Sequence, residues 1–314
     1  ISETSVDNCK ECGVCYYICP NTTPLLDQLN ETYQIKDEIG HIITIVVAKT
    51  TIEKISKVYQ DGGIVSTILT YLFEKNKIDA AIVSEFDEKF EPMPKIIYDK
   101  DDLLKSAGTR YSISSNILPL KDLDNISQEI REKKNIIEID DLRIAFVGTP
   151  CQCRAIRKMQ YLSISPAHVI KLIIGLFCFK TFDYNKLYDI LKKEINVNPT
   201  EIKKTWIKKN FFVKDKKDRE FEIDIKTLNP AIRNHCHECD EFAARFSDIS
   251  VGAAGAPKGN SIVIVRTEIG QEIINSLISE NFVEKYIIPP EQMLEWKTKK
   301  INWFRKLISF KMKE

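Results

Sequence analysis

Long apolar runs are missing from this 314-residue sequence. Its best candidate, VIKLIIGLFCF at 169–179, falls short of the ~18 residues that a membrane-spanning helix needs, and it contains Lys171. An excess of charge is missing too. With 46 Lys and Arg against 45 Asp and Glu, the formal charge is +1, so no global field favours nucleic acid or a strongly acidic partner. The chain opens at Ile1 with neither a Met nor a basic, then apolar, leader, so secretion is not expected and the native start is left open upstream. No GxGxxG follows a strand-like run, which removes the usual Rossmann fingerprint. Repeats and low-complexity tracts are lacking as well. The 43% hydrophobic content can core one large or two ordinary globular domains.

Cysteine is plentiful, with nine residues. Disulfide frameworks suit small secreted chains, whereas this long chain groups its thiols at metal-ligand spacings, so a reducing cytoplasm is the expected setting. CKECGVCYYICP at 9–20 sets Cys9, Cys12, Cys15 and Cys19 ahead of Pro20. A C-x2-C-x2-C loop brings three thiolates onto one backbone turn, as an iron–sulfur cluster requires; structural zinc more often takes two Cys pairs well apart. In two-cluster ferredoxins the fourth cysteine of such a run serves the other cluster. No second run follows, so either Cys19 closes the first cluster or its partner motif lies upstream of Ile1.

The rest of the chain alternates strands with helices. HIITIVVA (41–48), IDAAIVS (78–84), DLRIAFVG (141–148) and HVIKLIIGLFCF (168–179) read as buried strands. TIEKISKVYQ, IVSTILTYLFEKN, PCQCRAIRKMQ and DYNKLYDILKKEI read as helices, the third with Thr149 as N-cap and Pro150 as first residue. The fold class is α/β: a mixed sheet with flanking helices, plus a small N-terminal ferredoxin-like segment. Residues 201–226 predict a separate small sheet of two strands joined by KDKKDRE. Residues 291–314 predict a basic amphipathic helix with Leu294, Ile301, Phe304, Leu307 and Ile308 on one face. Lys297, Lys299, Lys300, Arg305, Lys306, Lys311 and Lys313 surround that face, so the helix packs on protein or lies at a membrane surface. The expected division is 1–40, 41–290 and 291–314.

Placed on these elements, the remaining cysteines converge. Cys151 follows one strand, Cys178 ends another, and Cys236 and Cys239 form a C-x2-C loop that can close over the same C-terminal edge, where open α/β sheets bind ligands. Cys153, two residues along the helix from Cys151, points away and is the spare thiol. The alternatives are a core role for Cys178 and a zinc site using His235 and His237. DGGIVST (61–67), SAGTRYS (106–112) and SVGAAGAPKGNS (250–261) are small-residue loops suited to turns or to phosphate approach, and together they suggest a dinucleotide such as FAD. Arg110 and Arg266 are candidate anion contacts or surface residues. Clusters carry single electrons and nicotinamides or deazaflavins carry hydride; a flavin converts between them.

In QDGGIVSTILTYLFE, AGTRYSISSN, VGTPCQCRAIRKMQ, IGLFC, CHECDEF and SDISVGAAGAPKGNSIVIVRTEIG, the sequence resembles, over about 41–290, the beta subunit family of coenzyme F420 hydrogenases and dehydrogenases. That resemblance implies a flavin and iron–sulfur oxidoreductase that exchanges hydride with coenzyme F420. It implies FAD held by Gly62, Gly63, Ile64, Val65, Ser66 and Thr67, by Gly108, Thr109, Arg110 and Tyr111, and by Gly252, Ala253, Ala254 and Gly255. It also implies one [4Fe-4S] cluster on Cys151, Cys178, Cys236 and Cys239 beside the flavin. A second, on Cys9, Cys12, Cys15 and Cys19, would face another redox subunit of a hydrogenase, dehydrogenase or reductase complex. Gly259, Asn260 and Ser261 stand where the family often has Gly-Trp-Ser. Two rival functions share these residues: a ferredoxin-dependent reductase of a chlorophyll-type tetrapyrrole, and a non-enzymatic, metal-stapled interaction module.

Overall fold

β-Branched runs form most of the strands in the computed structural model, which describes residues 9–126 and 128–312. In chain order the strands are β1 (Thr44–Thr50), β2 (Ala80–Phe86), β3 (Pro92–Ile97), β4 (Ile144–Gly148), β5 (Ile170–Leu176), β6 (Ile202–Ile207), β7 (Phe211–Asp215), β8 (Glu220–Ile223), β9 (Ile249–Gly252), β10 (Ser261–Val265) and β11 (Val283–Lys285). The α-helices are α1 (Val14–Ile18), α2 (Leu26–Thr32), α3 (Glu53–Ser56), α4 (Ile64–Glu74), α5 (Gln128–Lys134), α6 (Pro150–Tyr161), α7 (Tyr184–Ile195), α8 (Glu268–Ser279) and α9 (Met293–Lys311).

Eight strands make one mixed sheet in the order β11-β1-β10-β9-β5-β4-β2-β3. Its centre, β2-β4-β5-β9, is parallel, and both margins are antiparallel. Strands covered on both faces must be apolar throughout, as β4 and most of β5 are. On one face Ala81, Val83, Ala145, Val147, Leu172 and Ile174 meet Ile64, Ile68 and Leu72 of α4 and Ile273, Ile274 and Leu277 of α8. On the other, Ile82, Ile144, Phe146 and Ile173 meet Ile156 and Met159 of α6 and Leu29 of α2. This layering brings the C-terminal ends of β4, β5 and β9 to one edge.

The structure departs from the sequence reading in places. TIEKISKVYQ yields only the single turn α3, because the Asp61–Gly63 turn draws the chain back onto β1, where Thr50 N donates to Gly62 O. The small sheet has three strands, β6-β7-β8, packed with α7 around Leu187, Leu191, Phe211 and Val213. A second turn at Lys208–Asn210 folds the run WIKKNFFV into a hairpin, with Trp206 stacked on Phe212 at 5.3 Å.

α9 spends its apolar face within the chain: Phe304 and Ile308 are buried against Ile39, Val47, Phe242 and Ile262, with Ile301 and Leu307 beside them. Leu294, expected on that face, is 78% exposed because it precedes the docked part of the helix. Lys311, expected in the solvated fringe, is buried; Lys313 lies outside the described residues. Among the described residues, no helix is long and apolar enough to cross a membrane.

Arg305 Nη2 ties α9 to Asp37 Oδ2 at 2.7 Å, and Asp37 Oδ1 also accepts from Ile39 N and Gly40 N. Burial raises this carboxyl, but Arg305 and the two amides outweigh it and hold it below its ordinary value of ~3.9. The stability they confer is therefore complete above that value and is lost as pH falls through the lower folded-state value. The difference in thermal midpoint between wild type and Asp37→Asn should shrink as pH is lowered below ~4; a difference constant from pH 7 to pH 3 would contradict this.

Candidate active site and thiol centre

Beyond the C-terminal ends of the central strands lies a cavity of about 450 Å³, a size in the range of organic ligand sites. The three glycine loops meet there. Gly63, Ile64, Val65 and Ser66, then Gly108, Thr109, Arg110 and Tyr111, then Gly252, Ala253 and Ala254 all line it. Gly62, Thr67 and Gly255 stand behind the wall. Thr67 is fully buried, its Oγ1 bonded to Thr50 Oγ1 (2.6 Å) and Gly63 O (2.9 Å). Gly255 packs on Trp303.

Glycine is required at the first loop for two reasons. Gly62 and Gly63 have φ of 62° and 71°, and a Cβ on Gly62 would collide with Ser261 Oγ. Gly63 then leads into α4 with no side chain capping its first turn, which leaves the N–H groups of Ile64, Val65 and Ser66 without intrahelical partners.

The second loop is fastened to the sheet edge. Asn116 Nδ2 donates to Val147 O at 2.7 Å, Ser114 Oγ to Asn116 Oδ1 at 2.6 Å, and Gln152 Nε2 to Ser114 O. Gln152 Oε1 also accepts from Thr149 N (3.0 Å), so one side chain starts α6 and holds this loop. Tyr111 Oη accepts from Ile207 N, and burial pushes the phenol up to about 12.

Arg110 is bound up within its own loop. Its Nη1 donates to Ser106 O, Ala107 O and Gly108 O, its Nη2 to Lys105 O, and the guanidinium lies over the Phe86 ring at 4.6 Å. Burial lowers it to about 10. Arg266 is neither an anion contact nor a surface residue: it is buried, bonded to Ser250 Oγ, His41 O and Ala243 O.

Three polar atoms of the wall, Gln60 Oε1, Ser84 Oγ and Ser112 Oγ, are buried and find no hydrogen-bond partner among the described residues. Buried polar groups of this kind normally have a partner. Gln60 and Ser112 fall within the quoted motifs QDGGIVSTILTYLFE and SAGTRYS without being singled out as site residues, and Ser84 was missed, because nothing in its local pattern distinguishes it from an ordinary strand residue.

Cys178 joins this cavity to a group of thiols. It lines the cavity two residues past β5 and is pushed up to about 12, first by burial and then by its neighbours Cys151, Cys236 and Cys239, against the opposing pull of Lys311. Cys151 sits in the first turn of α6, 3.2 Å from Thr149 Oγ1; burial raises it, with Cys239 and Cys236 adding to the shift. Cys236 and Cys239 are half-buried, whereas His235 and His237 are exposed. Cys153 is fully buried, with Sγ 3.7 Å from Gly148 O.

All nine cysteines are free. Among the described residues, no three His, Cys, Asp or Glu side chains are gathered tightly enough to hold a single metal ion. A four-iron cluster takes each thiolate on a different iron, a wider arrangement than a single ion requires.

The N-terminal run lies against the other end of this machinery. Cys9, Cys12 and Cys15 are exposed and Cys19 is half-buried. Lys158 Nζ donates to Cys19 O and Thr22 O, both at 2.7 Å, and Arg154 Nη1 to Pro20 O at 3.0 Å. Arg154 Nη2 also pairs with Asp240 Oδ1 (2.9 Å) and Glu241 Oε1 (2.7 Å), just past Cys239. One helix, α6, thus touches both thiol groups.

Two sequence models, described as coenzyme F420 hydrogenase/dehydrogenase beta subunit N-term and C terminus, match residues 45–121 and 141–290. The coenzyme F420 hydrogenase beta subunit of Methanosarcina barkeri is 32% identical over 251 residues, which cover 78% of this chain and 82% of that one. This chain belongs to that beta subunit family. It is therefore a member of a family of F420-dependent oxidoreductases. A chain of the F420-reducing [NiFe] hydrogenase complex from M. barkeri superposes with a TM-score of 0.75 at 29% identity, covering 88% of this chain and 91% of that one. The coenzyme F420-dependent sulfite reductase of Methanocaldococcus jannaschii is 32% identical over 87% of this chain, which spans only 42% of that protein. The family models account for all three glycine loops and for Cys151, Cys178, Cys236 and Cys239; the Cys9–Cys19 run precedes them.

Proposed function

We propose that this beta-subunit-family protein exchanges hydride between coenzyme F420 and FAD and relays single electrons through two [4Fe-4S] clusters to or from another redox subunit. Bound FAD would supply the conversion between hydride and single-electron chemistry. The observation that carries this reading is Cys178, which lines the cavity and at the same time neighbours Cys151, Cys236 and Cys239.

Each part of the chain has a task in this scheme. The uncapped first turn of α4 offers N–H groups to a flavin phosphate, and Gln60, Ser84 and Ser112 offer buried polar atoms to the bound ligand. The loops 108–111 and 252–254 supply two of the cavity walls. Cys9, Cys12 and Cys15, which are exposed, and the half-buried Cys19 form the outer group that a partner subunit would meet. Free thiols throughout fit a reducing, cytoplasmic setting.

Anaerobically purified protein should contain FAD and about eight iron atoms per chain, and should oxidise reduced F420 with an artificial one-electron acceptor. Flavin-loaded protein that leaves reduced F420 untouched would overturn the proposal.

A further inference from the structure

Lys300, Phe304, Ile308 and Lys311 recur at helical spacing and share one face of α9. The two apolar residues are buried, and the two lysines reach opposite parts of the site. Lys300 Nζ donates to Gly255 O, at the end of the loop begun by Gly252. Lys311 Nζ donates to Cys178 O and Cys239 Sγ, both at 3.3 Å, and to Glu241 O.

Lys311 is 1% exposed, although it ends its helix, where a long cation ordinarily extends into water. Burying an ammonium is costly unless its protons are partnered. Its three acceptors match the three N–H donors of the charged form; a neutral amine has only two. No carboxylate pairs with it among the described residues. The nearby Glu241 carboxylate is already engaged by Arg154 Nη2 at 2.7 Å and lies 2.8 Å from Arg245 Nε. The positive charge of Lys311 is thus left facing the thiols.

We infer that Lys311 is a positioning residue of the inner thiol centre: it fastens α9 to the Cys178 and Cys239 loops and raises the reduction potential of the cluster held there. The inference rests on the proposed [4Fe-4S] cluster at Cys151, Cys178, Cys236 and Cys239. Reduction adds one electron from an external reductant, with no bond made or broken and no proton moved. The reduced state is one unit more negative, so a fixed cation donating to a ligand sulfur favours it.

The test is a redox titration of the full-length protein by electron paramagnetic resonance, comparing wild type with Lys311→Gln and Lys311→Arg. Lys311→Gln should lower the equilibrium constant for one-electron reduction of the inner cluster about tenfold, a midpoint ~59 mV more negative, and Lys311→Arg should restore most of it. A purely structural Lys311 would lower the unfolding temperature of Lys311→Gln and leave its midpoint in place, and that result overturns the inference. A second reading is spectroscopic: protein labelled with ζ-¹⁵N-lysine should show a ¹⁵N coupling to the reduced inner cluster that Lys311→Gln lacks, and a coupling that is absent from wild type or persists in the variant also overturns the inference. If wild-type protein carries no inner-cluster signal at all, the proposed cluster fails first, and the inference with it.

Discussion

Cys178→Ser should leave the protein folded and able to take up flavin, yet slow electron delivery from reduced flavin to an external one-electron acceptor by more than about 100-fold, the upper end of the loss seen when residues merely supporting a metal ligand are changed. The substitution is nearly isosteric. The backbone bond from residue 178 N to Phe242 O survives it, so the local chain has no reason to move. What is lost is the sulfur that stands both in the cavity wall and beside the other three thiols. Iron content should fall from about eight to about four atoms per chain, with the outer group on Cys9, Cys12, Cys15 and Cys19 retaining its share. Cys153→Ser is the matched control: its thiol is fully buried and contacts only Gly148 O through hydrogen bonding, so iron content and rate should be unchanged. Iron lost from Cys153→Ser and retained in Cys178→Ser would show that the ligand set has been wrongly drawn.

Arg154→Met should destabilise the fold by about 3 kcal/mol, the lower end of the cost of breaking a buried ion pair. Glu241, 1% exposed, loses one of its two guanidinium neighbours and keeps Arg245, which is why the lower figure applies. Asp240 should titrate higher in the variant. Burial pushes its carboxyl up, and Arg154, with Arg245 beside it, outweighs that and brings it below its ordinary range. The same change frees Pro20 O, so amides of α1 should exchange faster with solvent. Arg154→Lys should recover little, because one ammonium cannot reproduce a planar fork that reaches Pro20 O through Nη1 and two carboxylates through Nη2. Denaturant unfolding and hydrogen exchange of the two variants read these effects separately. Exchange at α1 unchanged in Arg154→Met would show that the bond from Arg154 to Pro20 O does not hold the N-terminal run.

Much of this arrangement is legible in the sequence where local chemistry decides it. Thr149 and Pro150 mark the start of α6 because an N-cap residue followed by proline suits a helix entry and little else. The β-branched runs give β4 and β5, and two parallel strands end at the same edge whatever surrounds them. The rest depends on tertiary neighbours. β3 carries Pro92 and Pro94, which argue against a strand until its place at the sheet margin is known, where a missing N–H is tolerated. Helical periodicity identifies the apolar face of α9 but not the loops that rise to meet its last turn, so Lys311 reads as one more solvated lysine. Arg266 misleads similarly, since its acceptors Ser250, His41 and Ala243 come from three separate parts of the chain.

α6 imposes a fixed gauge on the two thiol groups. Cys151 lies in its first turn, and Lys158, which grips Cys19 O, follows seven residues later, roughly 10 Å along a hydrogen-bonded cylinder at ~1.5 Å per residue. Their spacing is written in helical rise, so thermal motion of the connecting loops hardly alters it. Evolution cannot retune it smoothly either. Adding or removing one residue between Cys151 and Lys158 would swing the gripping side chain through about 100°, away from the segment it holds, so the offset between the two thiol groups changes only in steps set by the pitch of the helix.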